Sequence, residues 1–201
     1  MKIFCFGFGQ VAESFINKLI FEKKKLDLNI TSREETHEIE FNNLRISSYK
    51  FNNENYDENL KKKVEEAQYI LVSVPPTNGK DPVISNFQSS LKKSKHCKWI
   101  TYLSATSVYG NHNGEWVDEK SSTNPTSQNG IDRLVAEKNW KDFSIKNHLP
   151  LQIFRLAGIY SNDYNVLKRL KIGKAQTINK KNHFFSRIHV EDISNILFES
   201  L

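Results

Sequence analysis

Short apolar runs alternate with amphipathic stretches from the first residues of the chain. Residues 2–6 form an apolar run closed by glycine, which reads as a buried strand. Val11, Phe15 and Leu19 recur at helical spacing with Ile16 and Ile20 beside them, so residues 11–21 are expected to form a helix with one apolar face. Residues 26–31 read as a second strand and 44–48 as a weaker third. A helix over 60–67 is followed at 69–74 by a strongly β-prone run that Pro75-Pro76 halts. A helix is expected over 83–91 and a strand over 99–104. Residues 110–126 are polar and turn-rich and make the longest expected loop. Beyond it come a helix over 127–143, with Ile131, Leu134, Val135 and Trp140 aligned, and a sixth strand over 151–156. The remainder, 161–201, holds helical fragments and a short apolar strand over 184–190.

Strands and helices alternating at these lengths argue for an α/β fold. The expected form is a Rossmann-type, doubly wound, mostly parallel sheet with helices on both faces. Residues 1–160 are expected to form its main domain and 161–201 a short C-terminal appendage packed on it.

Gly7-Phe8-Gly9-Gln10-Val11-Ala12 fits G-x-G-x-x-G/A where such a motif has meaning, directly after a strand and opening a helix. The first glycine permits a tight turn, the second lets backbone approach a pyrophosphate, and a small third residue lets helix and strand pack closely. The helix N-terminus presents N–H groups and a partial positive charge to phosphate. The turn, with Gln10 and Val11, therefore points to a dinucleotide. At the end of the second strand, where an acidic residue would hold the ribose hydroxyls of NAD, the chain reads Thr31-Ser32-Arg33. A hydroxyl followed by a forked guanidinium suits the extra 2′-phosphate of NADP, so NADP(H) is favoured and NAD is the alternative. The competing reading is an exposed Arg33 paired with Glu34 or Glu35.

Composition narrows the picture without redirecting it. The two cysteines, Cys5 and Cys97, lie in or beside apolar runs and are expected to be buried thiols. The net charge of +6 comes from scattered groups, Lys23-Lys24-Lys25, Lys61-Lys62-Lys63 and Lys92-Lys93, each expected near a helix end. No nucleic-acid signature, metal-ligand spacing or membrane-length apolar run accompanies it, so neither nucleic acid, metal nor membrane is an expected partner. The start runs directly into a strand with no basic head or cleavage site, which makes the cytoplasm the expected location.

Several further segments in order carry a resemblance. They are Val72-Ser73-Val74-Pro75-Pro76, the run from Tyr102 to Gly110, the run from Pro125 to Glu137, Phe154-Arg155-Leu156-Ala157-Gly158-Ile159-Tyr160, and Arg187-Ile188-His189-Val190-Glu191-Asp192-Ile193. With the glycine turn they resemble the extended short-chain dehydrogenase/reductase family, the nucleotide-sugar epimerases and dehydratases, and most closely its atypical members. The resemblance implies that Val74, Pro75 and Ser104 also face the cofactor. It further implies a small-molecule substrate, a homodimer, and a substrate lobe after the last segment that a chain ending at Leu201 carries in minimal or incomplete form.

In that family a Ser or Thr and a Tyr-x-x-x-Lys helix move the proton while the nicotinamide exchanges hydride. Without gaps, the Tyr position falls on Asn129, the Lys position on Arg133 and the Ser/Thr position on Ala105. Asn129 cannot do the work of a phenolate, and Arg133 keeps its proton but can hold ribose or phosphate. Thr106 and Tyr109 are the remaining candidates near the site, with Tyr109 otherwise a structural corner. Arg155 and His189 are expected to be supports, with Asp192 capping the last helix. Two readings stand: an epimerase/dehydratase-like oxidoreductase acting on a hydroxylated, sugar-like substrate with an altered catalytic set, or a non-catalytic NADP(H) binder that senses redox state or presents a partner surface.

Overall fold

The computed structural model describes residues 1–176, 179 and 184–201. The expected C-terminal segment thus lies partly outside the described residues, at 177, 178 and 180–183. In chain order the strands are β1 (Lys2–Phe6), β2 (Asp27–Ser32), β3 (His37–Phe41), β4 (Leu44–Asn52), β5 (Asn55–Tyr56), β6 (Tyr69–Val72), β7 (Trp99–Ala105), β8 (Leu151–Leu156), β9 (Gly158–Tyr160) and β10 (Arg187–His189). The helices are α1 (Gln10–Phe21), α2 (Asn59–Glu66), α3 (Pro82–Lys93), α4 (Gln128–Asn147), α5 (Val166–Lys171) and α6 (Val190–Glu199).

The main sheet runs β3-β4-β2-β1-β6-β7-β8, with β5 on β4, and every pairing from β4 to β8 along this path is parallel. The chain leaves β1 toward β2 on one side and returns to β6 on the other. This reversal opens a crevice at the carboxyl ends of the strands, which is where ligands bind in such sheets. β1 is apolar after Lys2 because both its faces are covered. Ile3 and Cys5 pack with α1 and α6, whereas Phe4 and Phe6 pack with α2, α3 and α4. The expected α/β sheet with helices on both faces is the observed one, and among the described residues no helix is long and apolar enough to cross a membrane.

Several local expectations are corrected. The parallel strands β2 and β4 are joined by an antiparallel return strand, β3, with no helix between them. Asn42 and Asn43, both at positive φ (49° and 64°), make the two-residue turn of that hairpin. The run expected to be a strand over 69–74 leaves the sheet at Val72, and the strand expected over 184–190 is only Arg187–His189, since Val190 opens α6. His189 caps α6 by accepting the Glu191 N–H, and Asp192 lies in the first turn. Lys61-Lys62-Lys63 sits within the eight-residue α2, with Lys63 in its last turn as expected. On α4 the buried face is Asp132, Ala136, Glu137 and Trp140, while Ile131 and Val135 face outward. The polar members of that inner face disguise it in the sequence.

Both cysteines are free thiols. Burial in β1 pushes the Cys5 thiol up to about 12, and burial also raises that of Cys97. Since only the thiolate reacts, the folded protein at pH 8 is expected to leave Cys5 unmodified by a thiol reagent and Cys97 slow. Denaturant should release two thiols. Rapid modification of Cys5 in the folded protein would contradict the buried position of β1.

Candidate functional site

The carboxyl ends of six parallel strands surround one cleft of about 680 Å³. β1 contributes the turn from Gly7, β2 contributes Ser32 and Arg33, and β4 contributes Phe51 and Asn52, with Asn53 next to them. After β6 come Val74, Pro75 and Thr77, β7 adds Ser104 and Ala105, and β8 leads to Ala157 and Ile159. Arg133 reaches the same space from α4.

The two glycines of the first turn answer to different constraints. Gly7 has φ +85°, and a Cβ there would meet Ser73 Oγ at 2.7 Å, so the backbone itself requires glycine. Its N–H donates to Thr31 Oγ1 at 2.8 Å, and Ser73 Oγ donates to the carbonyl of Phe6 at 2.9 Å. Gly9 has ordinary extended dihedrals (φ −100°, ψ −173°), and nothing lies within 4 Å of a Cβ built on it. Bare backbone there faces open cleft. Gly9 also offers α1 no side-chain cap, so the N–H groups of the first turn, at Gln10 and Val11, are left for something in the cleft. Two buried polar atoms on the lining, Gln10 Oε1 and Ser104 Oγ, have no hydrogen-bond partner. Buried polar atoms are seldom left so.

Arg33 and Arg133 are the only charged side chains among the described residues that line the cleft. Glu34 pairs with His37 and Glu35 with Lys50, whereas the exposed Arg33 has no ion pair among the described residues. Arg133 Nη1 donates to the Leu103 carbonyl at 2.8 Å. Among the described residues, no lining side chain carries a carboxyl, imidazole, phenol, thiol or amine. With two arginines and a helix N-terminus on its lining, the cleft suits an elongated anion.

All ten residues expected to face the cofactor, namely Gly7, Gly9, Gln10, Val11, Ser32, Arg33, Val74, Pro75, Ser104 and Arg133, come together on this one lining. Of the four expected catalytic candidates only Arg133 does. Thr106 lies half-buried in a short 3₁₀ turn, Thr106–Val108, and Asn129 is exposed on the first turn of α4. Tyr109 is buried beneath Arg155, whose guanidinium lies 4.8 Å from the ring centroid. Arg155 also grips the buried Glu137 through both carboxylate oxygens, at 3.0 and 2.7 Å, and that hydrogen bonding raises its own pKa further. The expectation that Arg155 is a support matches this geometry. His189 lies against Tyr160, ring centroids 5.0 Å apart, and away from the cleft lining.

A second buried polar group lies behind Arg133, and no sequence motif points to it. Asp81 caps α3 through the Val83 and Ile84 amides and accepts Trp140 Nε1 at 3.1 Å. Burial raises its carboxyl pKa, against the pull of those donors and of Arg133. Burial, and secondarily Asp81, push the Tyr102 phenol far up, so it cannot serve as a base near neutrality. The cap is local, but the Trp140 partner, 59 residues on, leaves no local spacing by which it could be found.

Neither a protein-family model nor a curated protein sequence matches the chain. Solved structures do. A conserved protein of unknown function from Silicibacter pomeroyi DSS is 30% identical, with a TM-score of 0.80 over 98% of this chain and 67% of its own. UDP-glucuronic acid 4-epimerase from Bacillus cereus, in complex with UDP-glucuronic acid and NAD, is 16% identical, with a TM-score of 0.75 over 100% of this chain and 73% of its own. UDP-N-acetylglucosamine 4-epimerase from Methanobrevibacter ruminantium M1 is 15% identical, with a TM-score of 0.72 over 96% and 70%.

The Arg155–Glu137 pair gives a direct test of the support role. Arg155→Met would leave the Glu137 carboxylate, 1% exposed, without its bidentate partner. The expected loss is about 3–5 kcal/mol of unfolding free energy, the range for an orphaned buried charge. Urea titration measures it, and a loss below about 1 kcal/mol would show that Arg155 carries no such structural weight.

Proposed function

The chain belongs to the extended short-chain dehydrogenase/reductase family, and from that premise we propose that its cleft binds NADP(H). The observation that carries this reading is Gly9: the fold leaves room for a side chain there, yet the residue is bare and sits at an uncapped helix N-terminus. The amides of Gln10 and Val11 hold the pyrophosphate, which the Gly7–Gly9 turn lets approach. Ser32 and Arg33 take the 2′-phosphate, since no acidic residue ends β2 and Arg33 is free of an ion-pair partner among the described residues. Val74, Pro75, Ser104 and Arg133 flank the nicotinamide half. The Bacillus cereus epimerase is solved with NAD; Ser32-Arg33 is the feature that favours NADP here.

NADP(H) supplies hydride exchange at its nicotinamide ring. The Bacillus cereus and Methanobrevibacter ruminantium structures named above are UDP-sugar 4-epimerases, and the corresponding proposal is an oxidoreductase of the epimerase/dehydratase kind acting on a hydroxylated, sugar-like molecule. Residues 1–160 serve as the dinucleotide domain and 161–201 as the substrate-side segment. A cytoplasmic homodimer completes the reading, with Ile131 and Val135 on the outer face of α4 open to a second copy.

One observation favours a second reading, a non-catalytic NADP(H) binder that senses redox state or presents a surface to a partner. Among the described residues, the lining holds two arginines and no side chain able to exchange a proton near neutrality. Thr106, Tyr109 and Asn129 stand off it, so water or a group outside the lining would have to carry the proton. Oxidation of bound NADPH by pooled sugar nucleotides in a single turnover supports the first reading. Tight binding with no oxidation supports the second.

Two substitutions test the cofactor assignment. Arg33→Ala should weaken NADPH binding by about 1–3 kcal/mol and leave NADH nearly unchanged, because the guanidinium meets only the 2′-phosphate, which NADH lacks. Equal affinity of the unmutated protein for both dinucleotides, measured by calorimetry, would overturn the NADP preference. Gly9→Val should abolish binding of either dinucleotide while the thermal midpoint stays close to that of the parent, since the added side chain meets only open cleft. Unchanged affinity in that variant would reduce the motif to a structural turn.

A further inference from the structure

The segment between β6 and α3 forms one wall of the cleft, through Val74, Pro75 and Thr77. It ends in a tight reversal whose two central residues, Asn78 and Gly79, have φ of 51° and 72°. Thr77 and Lys80 exchange backbone hydrogen bonds of 3.0 Å across it. Asn-Gly suits this geometry because both positions need positive φ. A turn of this kind is normally held only through its two ends.

Here the tip is held as well. The Gly79 N–H donates to Asp132 Oδ1 on α4 at 2.9 Å, and the same oxygen accepts Gln128 Nε2 at 2.8 Å. Asp132 is 4% exposed, and no cation pairs with it among the described residues. A carboxylate in that position is tolerated only through the hydrogen bonds it accepts. One of them reaches across the sheet edge to a loop 53 residues earlier in the chain. The base of the turn is held to the same helix, since Asp81 accepts Trp140 Nε1. The residue after Asp132 is Arg133, which lies in the cleft.

We propose that Asp132 is a positioning residue that clamps the tip of the 77–80 turn to α4, fixing the 74–77 wall opposite Arg133 for a bound dinucleotide. The proposal rests on the dinucleotide reading of the cleft, although the clamp has a readout that needs no ligand. Both donors are neutral and both meet Oδ1, so the two bonds need one acceptor oxygen and no cationic partner. An asparagine side-chain oxygen can accept the same two bonds.

The experiment compares the full chain with Asp132→Ala and Asp132→Asn, by stopped-flow release of NADPH and by hydrogen exchange of the Gly79 amide without ligand. Asp132→Ala should release NADPH about tenfold faster and expose the Gly79 amide, whereas Asp132→Asn should release it within about twofold of the parent and keep the amide protected. Release from folded Asp132→Ala at the parent rate would overturn the proposal, and so would an Asp132→Asn variant as defective as Asp132→Ala. If Asp132→Ala fails to fold, protection of Gly79 in both the parent and Asp132→Asn supports the clamp. Exchange at the rate of an open loop in either overturns it. If the parent does not bind NADPH, the cofactor reading fails by itself, and the exchange comparison still decides the clamp.

Discussion

The hydrogen bond from the Gly7 amide to Thr31 Oγ1 joins the ends of β1 and β2, and Ser73 joins β6 to the same point through the Phe6 carbonyl. Three central strands are thereby tied where the chain reverses direction across the sheet. The tie requires the left-handed backbone of Gly7, because a side chain there would displace Ser73. The cleft opens beside this knot of backbone and two hydroxyls, with Arg33 one residue beyond β2.

Much of this is legible in the sequence because it is local. β1, α1, β6, α3, β7 and β8 announce themselves by period and by the residues that stop them, and the ends of parallel strands converge whatever their sequence. That convergence is why ten residues spread from Gly7 to Arg133 meet on one lining. The hairpin of β3 and β4 stays hidden because His37–Phe41 alternates weakly among charged residues, and its turn uses Asn42-Asn43 with no glycine. The face of α4 misleads for a deeper reason. Its inner side carries Asp132 and Glu137, whose burial is possible only because Gly79, Gln128 and Arg155 meet them. Period alone cannot reveal a polar residue whose partner lies dozens of positions away.

These buried polar contacts change what α4 is in this molecule. In the family resemblance, the helix presents a phenol and an amine to the reacting atoms. Here its inward polar residues act as struts: Asp132 to the β6–α3 turn, Trp140 to Asp81, and Glu137 to Arg155, which in turn covers Tyr109. Arg133 alone still faces the cleft, its guanidinium fixed on the Leu103 carbonyl.

The contrast between Gly7 and Gly9 has a consequence for how such a chain can change over generations. Position 7 is confined to glycine by the path of its own backbone, whatever the cleft contains. Position 9 is under no such confinement, for its dihedrals are ordinary and its surroundings empty. A descendant lineage that ceased to use the cleft would keep the first glycine and be free to drift at the second. Within one short motif, then, one residue is held by the demands of folding and its neighbour two places on is not.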